Sequence, residues 1–302
     1  MTHKVKIKPM KAVSTSIEDL PIPCYVGTKF DGIRAIIRDG VVLSLSLKPI
    51  PNRNIQEALG KPEYNGLDME LTVGDIYSPD CFRNTTSVVM SHDKSIEGLQ
   101  GHVFDIFNSP DESYEIRKLH VGLKLASYPS DILVNATAEL VESREQLALL
   151  LENERALGGE GLVARKVGSK YKFGRSTLKE GYLYKIKFYE QEEFLVTDFI
   201  EQMHNTNEAV INELGHTSRS LAKGGLVPNG TLGALVLTMP DGRTFSCGTG
   251  FSDELRGEIW NNRDKYLHRQ ASVRYMATGC KEAPRQPVFI SFRHGDDINN
   301  DY

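Results

Sequence analysis

Tyr25-Val26-Gly27-Thr28-Lys29-Phe30-Asp31-Gly32-Ile33-Arg34-Ala35-Ile36-Ile37-Arg38-Asp39-Gly40-Val41-Val42-Leu43 has the texture of strands and breaks at Asp39-Gly40, a dipeptide favoured in the tight turn of a β-hairpin. The pattern predicts a hairpin with Lys29 just before or at the head of its sheet. Pro49 and Pro51 end the second strand, and Asn52 is placed to cap a short helix that runs through Leu59 and stops at Gly60. The six residues Lys29-Phe30-Asp31-Gly32-Ile33-Arg34 join a lysine to a turn. Taken alone, such a match is structural more often than catalytic, because Asp-Gly turns and surface lysines are common.

Beyond this stretch, Gly66 to Val73 and His102 to Phe107 read as two buried strands. Helical spacing appears at Ile116, Leu119 and Leu123, and again at Leu147, Leu150 and Leu151, where Ser143 and Gln146 are placed for a capping box and Gly158-Gly159 ends the run. The segment from Leu162 to Phe188 returns to strands. After Tyr189 the texture changes to short strands at Phe194 to Ile200, Leu232 to Leu237, Thr244 to Cys247 and Ala271 to Tyr275, with a second hairpin signal at Asp241-Gly242. A helix capped at Ser252 carries Leu255, Ile259 and Trp260, and the polar stretch Gln202 to Asn229 reads as a long excursion between strands. The fold class expected is α+β, with domains over 1–188 and 189–302, the second a small barrel.

The chain has 302 residues, enough for two domains, and its 40% apolar and 25% charged residues suit a soluble globular protein. No apolar run is long enough to span a bilayer, and the lysine-rich start lacks the apolar core of a signal peptide, so no membrane partner and a cytoplasmic or nuclear location are expected. Cys24, Cys81, Cys247 and Cys280 are far apart and form no Cys-x-x-Cys pair; they read as buried thiols rather than zinc ligands or disulfides. The formal net charge of -4 hides an uneven distribution: Arg165, Lys166, Lys170, Lys172, Arg175, Lys179, Lys185 and Lys187 face a single acid, Glu180, between Gly161 and Phe188. Alone, that run is as well explained by a solvated basic face.

Lys29 gains meaning from the residues that succeed it in order: Asp68-Met69-Glu70, Phe104-Asp105, Glu160-Gly161, then Lys185-Ile186-Lys187. Elsewhere stand Thr85-Thr86-Ser87, the run Tyr171-Lys172-Phe173-Gly174-Arg175-Ser176-Thr177-Leu178-Lys179-Glu180-Gly181, Gly248-Thr249-Gly250-Phe251 and Pro287-Val288-Phe289-Ile290. On these residues, which span almost the whole chain, it resembles the covalent nucleotidyltransferases (DNA ligases, RNA ligases and mRNA capping enzymes). Among them it is most similar to minimal ATP-dependent DNA ligases of the Chlorella virus and phage type.

The resemblance implies an ATP-grasp-like nucleotidyltransferase domain of antiparallel sheets with helices, followed by an OB-fold β-barrel carrying a latch over 202–229. It implies a monomeric enzyme that takes AMP from ATP onto Lys29 with Mg2+ and seals nicked duplex DNA. By resemblance, Arg34 and Glu70 hold the nucleotide sugar, Phe104 stacks on adenine, and the backbone beside Thr28 meets the base edge. Lys185 and Lys187 neutralise the triphosphate and favour the neutral amine that a nucleophilic lysine requires. Glu160 is the implied Mg2+ carboxylate, shared with Asp31 during sealing. Arg285, with His294-Gly295-Asp296-Asp297, is implied to orient pyrophosphate in the first step. The latch pairs Arg219 and Lys223 with Glu208 and Glu213, so a grip on DNA through shape and hydrogen bonds is expected.

The chain departs from the family at Ser44-Leu45-Ser46-Leu47-Lys48-Pro49-Ile50, where Leu45 stands in place of an arginine that reaches the adenylate and the 5′-phosphate of the nick. Met69 stands where glycine is usual. An apolar side chain cannot replace a bidentate phosphate donor. Three readings remain open: a DNA ligase, another nucleotidyltransferase such as an RNA ligase or capping enzyme, and a nick-binding protein whose sealing is impaired by Leu45.

Overall fold

The computed structural model describes residues 7–211, 217–220, 222–276 and 283–293. The chain divides into two compact units, the first reaching Lys187 and the second starting at Phe188.

In the first unit the order is β1 (Val13–Ser14), β2 (Cys24–Thr28), β3 (Ile33–Arg38), β4 (Val41–Ser44), α1 (Arg53–Leu59), β5 (Leu67–Val73), α2 (Cys81–Val89), β6 (Leu99–Ile106), α3 (Tyr114–Ser127), β7 (Leu133–Asn135), β8 (Glu139–Val141), α4 (Arg144–Ala156), β9 (Gly161–Lys166) and β10 (Tyr184–Lys187). They make two sheets, β1-β10-β9-β2-β8 and β4-β3-β5-β6-β7. The stretch around Lys29 is where the chain leaves the first sheet at the end of β2 and enters the second at β3. Asp39 and Gly40 both adopt positive φ, 52° and 72°, as a two-residue hairpin turn requires. The side chain of Asn52 accepts from the backbone N–H groups of Asn54 and Ile55, at 2.9 and 3.2 Å. Ser143 and Gln146 form the expected reciprocal cap of α4.

The main apolar core lies on the outer side of the second sheet, where Ile55 and Leu59 of α1, Val89 of α2 and Val121 of α3 pack on Met69, Leu71 and Val103. A smaller cluster of Met10, Ile36, Phe107, Tyr171 and Leu183 ties the N-terminal segment to the second sheet and to the loop before β10. The helix at 114–127 exists, but the stripe that announced it faces outward: Ile116, Leu119 and Leu123 are 41%, 63% and 65% exposed. Tyr114, Arg117 and Val121 face inward instead, because the fully buried Arg117 guanidinium grips Asp105 with Nε 2.7 Å from Oδ1. That ion pair sets the rotation of α3. Between Leu162 and Phe188 the chain is strand only at β9 and β10; the intervening loop turns at Gly168, Gly174 and Gly181, all at positive φ.

In the second unit, β11 (Tyr189–Asn205), β12 (Ala209–Ile211), β13 (Thr217–Arg219), β14 (Leu226–Thr238), β15 (Thr244–Cys247), α5 (Asp253–Asn261), α6 (Arg263–Tyr266), β16 (Gln270–Met276) and β17 (Arg285–Phe292) succeed one another. The main sheet runs β15-β14-β11-β16-β17 around Phe194, Leu235, Phe245, Val273 and Phe289. The two edge strands do not pair along their length. Phe289 N–H donates to the Thr249 carbonyl just beyond β15, at 2.9 Å, and closes the curl at that point. The stretch expected as an irregular excursion is largely a ribbon: β11 and β14 continue past the core with Met203 opposite Pro228 and Asn205 opposite Leu226, and β12 pairs with β13. It is hard to read in the sequence because its apolar side chains, Met203, Val210 and Val227 among them, are exposed and set among polar residues. Residues 212–216 and 221 of that stretch, including Glu213, lie outside the described residues, as do Cys280 and His294 to Asp297. Cys24, Cys81 and Cys247 are buried free thiols.

Candidate active site

A cavity of about 780 Å³, part of it open to solvent, is lined by residues from both sheets of the first unit. From the first sheet come Gly27, Thr28, Val163, Arg165 and Lys185; from the second come Arg34, Glu70 and Phe104; Lys29 and Phe30 come from the crossover between them. The crossover needs Gly32, because a Cβ there would stand 2.1 Å from the Leu71 carbonyl oxygen. Lys29 N–H donates to the Gly161 carbonyl at 2.9 Å, which registers the crossover against the start of β9.

Glu160 is buried and bridges two lysines: Lys29 Nζ donates to its Oε2, and Lys187 Nζ lies 2.9 Å from its Oε1. Burial pulls the Lys185 ammonium down, and Lys187, Lys29 and Arg175 add to this, against Glu160. Three lysines and one carboxylate therefore leave a local positive excess suited to phosphate. Burial pushes the Glu70 carboxyl up to about 7, against the pull of Arg34 and Lys29.

Arg34 is fixed from beneath. Its Nε and Nη2 donate to Asp68 Oδ1 and Oδ2 at 2.5 and 2.7 Å, and its guanidinium lies 4.4 Å from the centre of the Phe104 ring. Asp68 is fully buried and also accepts from the Tyr171 hydroxyl at 2.5 Å. Phe30 stacks on His102, with ring centres 4.1 Å apart, and burial pushes His102 down to about 4, so this support is an uncharged imidazole. On the other side of the crossover, Thr28 Oγ1 donates to Glu154 Oε2 at 3.1 Å.

The structure thus gathers Thr28, Lys29, Arg34, Glu70, Phe104, Glu160, Lys185 and Lys187 at one place. Asp31 is half-buried beside the others in sequence but does not line the cavity. Burial raises the Cys81 thiol of α2, and Asp31 lies close enough to add to that rise. Arg285 opens β17 of the second unit opposite Met276. Leu45 is exposed at the tip of a tight turn closed by Ser44 N–H donating to the Lys48 carbonyl at 2.8 Å. Asp68 and Arg165 carried no role in the sequence pattern. Asp68 was visible two residues before Glu70, yet nothing in the sequence signals that its carboxylate anchors Arg34.

A DNA ligase OB-like domain model matches residues 223–293. The solved structure of Chlorella virus DNA ligase-adenylate is similar along nearly the whole length: 28% identity, 96% of this chain, 99% of that chain and a TM-score of 0.54. The chain is a homologue of the ATP-dependent DNA ligases. A Lig E DNA ligase shares the fold at 22% identity, covering 95% of this chain and 99% of its own, with a TM-score of 0.71. No curated protein sequence gives a match. In this ligase homologue the nucleotidyltransferase and OB-like parts come in the order that the motifs implied, although the OB-like sheet falls short of a closed barrel. No described helix is long and apolar enough to cross a membrane.

Proposed function

We propose that this ligase homologue joins 5′-phosphate to 3′-hydroxyl at nicks in duplex DNA, using ATP and Mg2+, through AMP carried on Lys29. The observation that carries the reading is Lys29 Nζ at a cavity wall beside Glu160 and Lys185, with Arg34, Glu70 and Phe104 on the facing sheet. In the first step the Nζ lone pair attacks the α-phosphorus, a P–N bond forms, and the bond to pyrophosphate breaks. A nick 5′-phosphate oxygen then attacks the same phosphorus and releases Lys29. Finally the 3′-hydroxyl attacks the 5′-phosphorus, and AMP leaves.

Attack needs a free lone pair on Lys29 Nζ, whereas that atom is engaged in donating to Glu160 Oε2. Glu160 must therefore turn away before the first step, and a buried carboxylate with one fewer lysine would hold Mg2+. Among the described residues no three His, Cys, Asp or Glu side chains form a protein-only metal cage. That suits Mg2+, which keeps waters and phosphate oxygens and needs few protein carboxylates; when bound, it neutralises phosphate charge. Lys185 and Lys187 would hold phosphate oxygens, Arg34 and Glu70 the sugar, and Phe104 the base. Arg285 is assigned to pyrophosphate and Asp31 to a second carboxylate role during sealing.

The deciding test is sealing of a 5′-phosphorylated DNA nick with ATP and Mg2+, beside an otherwise identical RNA nick and beside GTP. Product from the DNA nick with ATP is expected. Product confined to the RNA nick, or protein labelling by GTP in preference to ATP, would overturn the reading in favour of an RNA ligase or a capping enzyme.

Leu45 bears on efficiency. An exposed apolar side chain on this turn offers no donor to the nick phosphate, so sealing is expected to be limited by nick affinity rather than by loading of AMP. Leu45→Arg should tighten nick binding about tenfold, as one charge-assisted contact allows, and leave AMP labelling unchanged. Equal nick affinity for the two proteins would remove this explanation.

A further inference from the structure

Glu154, in the last turn of α4, is a buried acid to which the chemistry at Lys29 gives no part. It is 6% exposed, and among the described residues no lysine or arginine pairs with it. Its partners are hydroxyls. Thr28 Oγ1 donates to Oε2 at 3.1 Å, and the Tyr77 phenol, from the loop that leaves β5, reaches both side chains. Oε1 has no partner among the described residues. Burial raises the Glu154 carboxyl, and the Thr28 and Tyr77 hydroxyls pull it back. An acid enclosed without a cation is costly to bury.

The Glu154 side chain lies across Gly159, where a Cβ would stand 2.3 Å from Oε1 and 2.7 Å from Cγ. One residue on, Glu160 meets Lys29 Nζ. Gly158 packs on the loop that carries Tyr77, with the Tyr77 carbonyl oxygen 3.5 Å from the position of a Cβ. The crossover is therefore tied to residues 154–161 in three ways: Thr28 Oγ1 to Glu154, Lys29 N–H to the Gly161 carbonyl, and Lys29 Nζ to Glu160. The last of these must break before Lys29 attacks. The other two do not involve the Lys29 side chain, so they hold its backbone while Nζ turns to the α-phosphorus.

We propose that Glu154 is a positioning residue for the transfer of AMP, acting through Thr28 to keep the backbone at Lys29 in place once Glu160 has released the lysine. The inference rests on the reading of Lys29 as the nucleophile. Glu154 does not line the cavity, so its loss should slow the attack without weakening the hold on ATP. Gly159 belongs to the same device, since a side chain there would displace the carboxylate.

The test measures self-labelling of the full chain over a range of ATP concentrations. Glu154→Ala should lower the rate at saturating ATP about tenfold or more, as a small displacement of a nucleophile allows, and change KM by less than about twofold. Glu154→Gln keeps an acceptor for Thr28 and should restore most of the rate. Thr28→Val removes the donor and should slow labelling by a similar factor, and the two changes combined should be no slower than Glu154→Ala alone. If Glu154→Ala does not fold, Thr28→Val decides alone. A rise in KM at an unchanged rate, or Thr28→Val labelling as fast as the unaltered chain, would overturn the role of Glu154 and leave the ligase reading standing. No labelling of the unaltered chain by ATP would overturn both.

Discussion

Lys29→Ala is expected to abolish transfer of labelled AMP from ATP to the protein while leaving the melting temperature nearly unchanged. The nucleophile is lost outright, and no neighbour replaces it. Lys187 is tied to Glu160 at 2.9 Å, and Lys185 projects from β10 rather than from the crossover. The fold should survive, because Glu160 keeps Lys187 as its partner and the backbone bond from residue 29 to the Gly161 carbonyl does not involve the side chain. Lys29→Arg is the sharper control. A guanidinium keeps the charge and the pairing with Glu160 but does not deprotonate in a protein, so it cannot attack. It too should remain unlabelled. Labelling of either variant at the rate of the unaltered chain would place the nucleophile elsewhere.

Asp68→Ala is expected to damage both stability and nucleotide use, although its carboxylate lies beneath the cavity and does not line it. Asp68 is fully buried and accepts from Arg34 twice and from the Tyr171 hydroxyl once. Removing it leaves Arg34, only 17% exposed at its side chain, with a single 3.3 Å bond to the Met10 carbonyl. Breaking a buried ion pair by deleting one partner costs about 3–5 kcal/mol. In a unit of this size that corresponds to a fall in melting temperature of roughly 10 °C. Arg34 would also lose the brace that holds it over Phe104, so KM for ATP in the labelling reaction should rise. Asp68→Asn, which keeps an acceptor and loses the charge, should fall between the two. A melting temperature within about 2 °C of the unaltered chain, less than 1 kcal/mol on the same scale, would show that Arg34 is held by something other than Asp68.

Local chemistry was legible in the residues themselves. Asp39-Gly40 demanded positive φ twice, Asn52 and Ser143 offered caps, and the hairpin and helices formed there. The ordered series from Lys29 to Lys187 named Lys29, Phe30, Arg34, Glu70, Phe104 and Lys185 of the cavity lining, whereas Tyr25, Tyr114 and Ala136 to Ala138 carried no motif and reached the cavity only through the fold. Where periodicity was the sole guide, it misled. The apolar stripe of α3 faces outward, since a buried Arg117–Asp105 pair outweighs the burial of three leucine-type side chains in setting the rotation of the helix. The ribbon beyond the OB-like core exposes its few apolar side chains, such as Met203, Val210 and Val227, among polar ones, and so left little alternation to read.

The motif Lys29 to Arg34 was thus legible in sequence as a run of residues, whereas the need for glycine at position 32 comes from the Leu71 carbonyl oxygen of β5, 2.1 Å from where a Cβ would stand. The partners of Lys29 came from folding. Glu160 reaches Lys29 across 131 positions of chain, Tyr171 reaches Asp68 across 103, and Arg165 meets Asp105 through the stacking of separate strands. Which acid pairs with which base depends on strand register and on the burial that excludes water from between them. Neither is encoded at any single position.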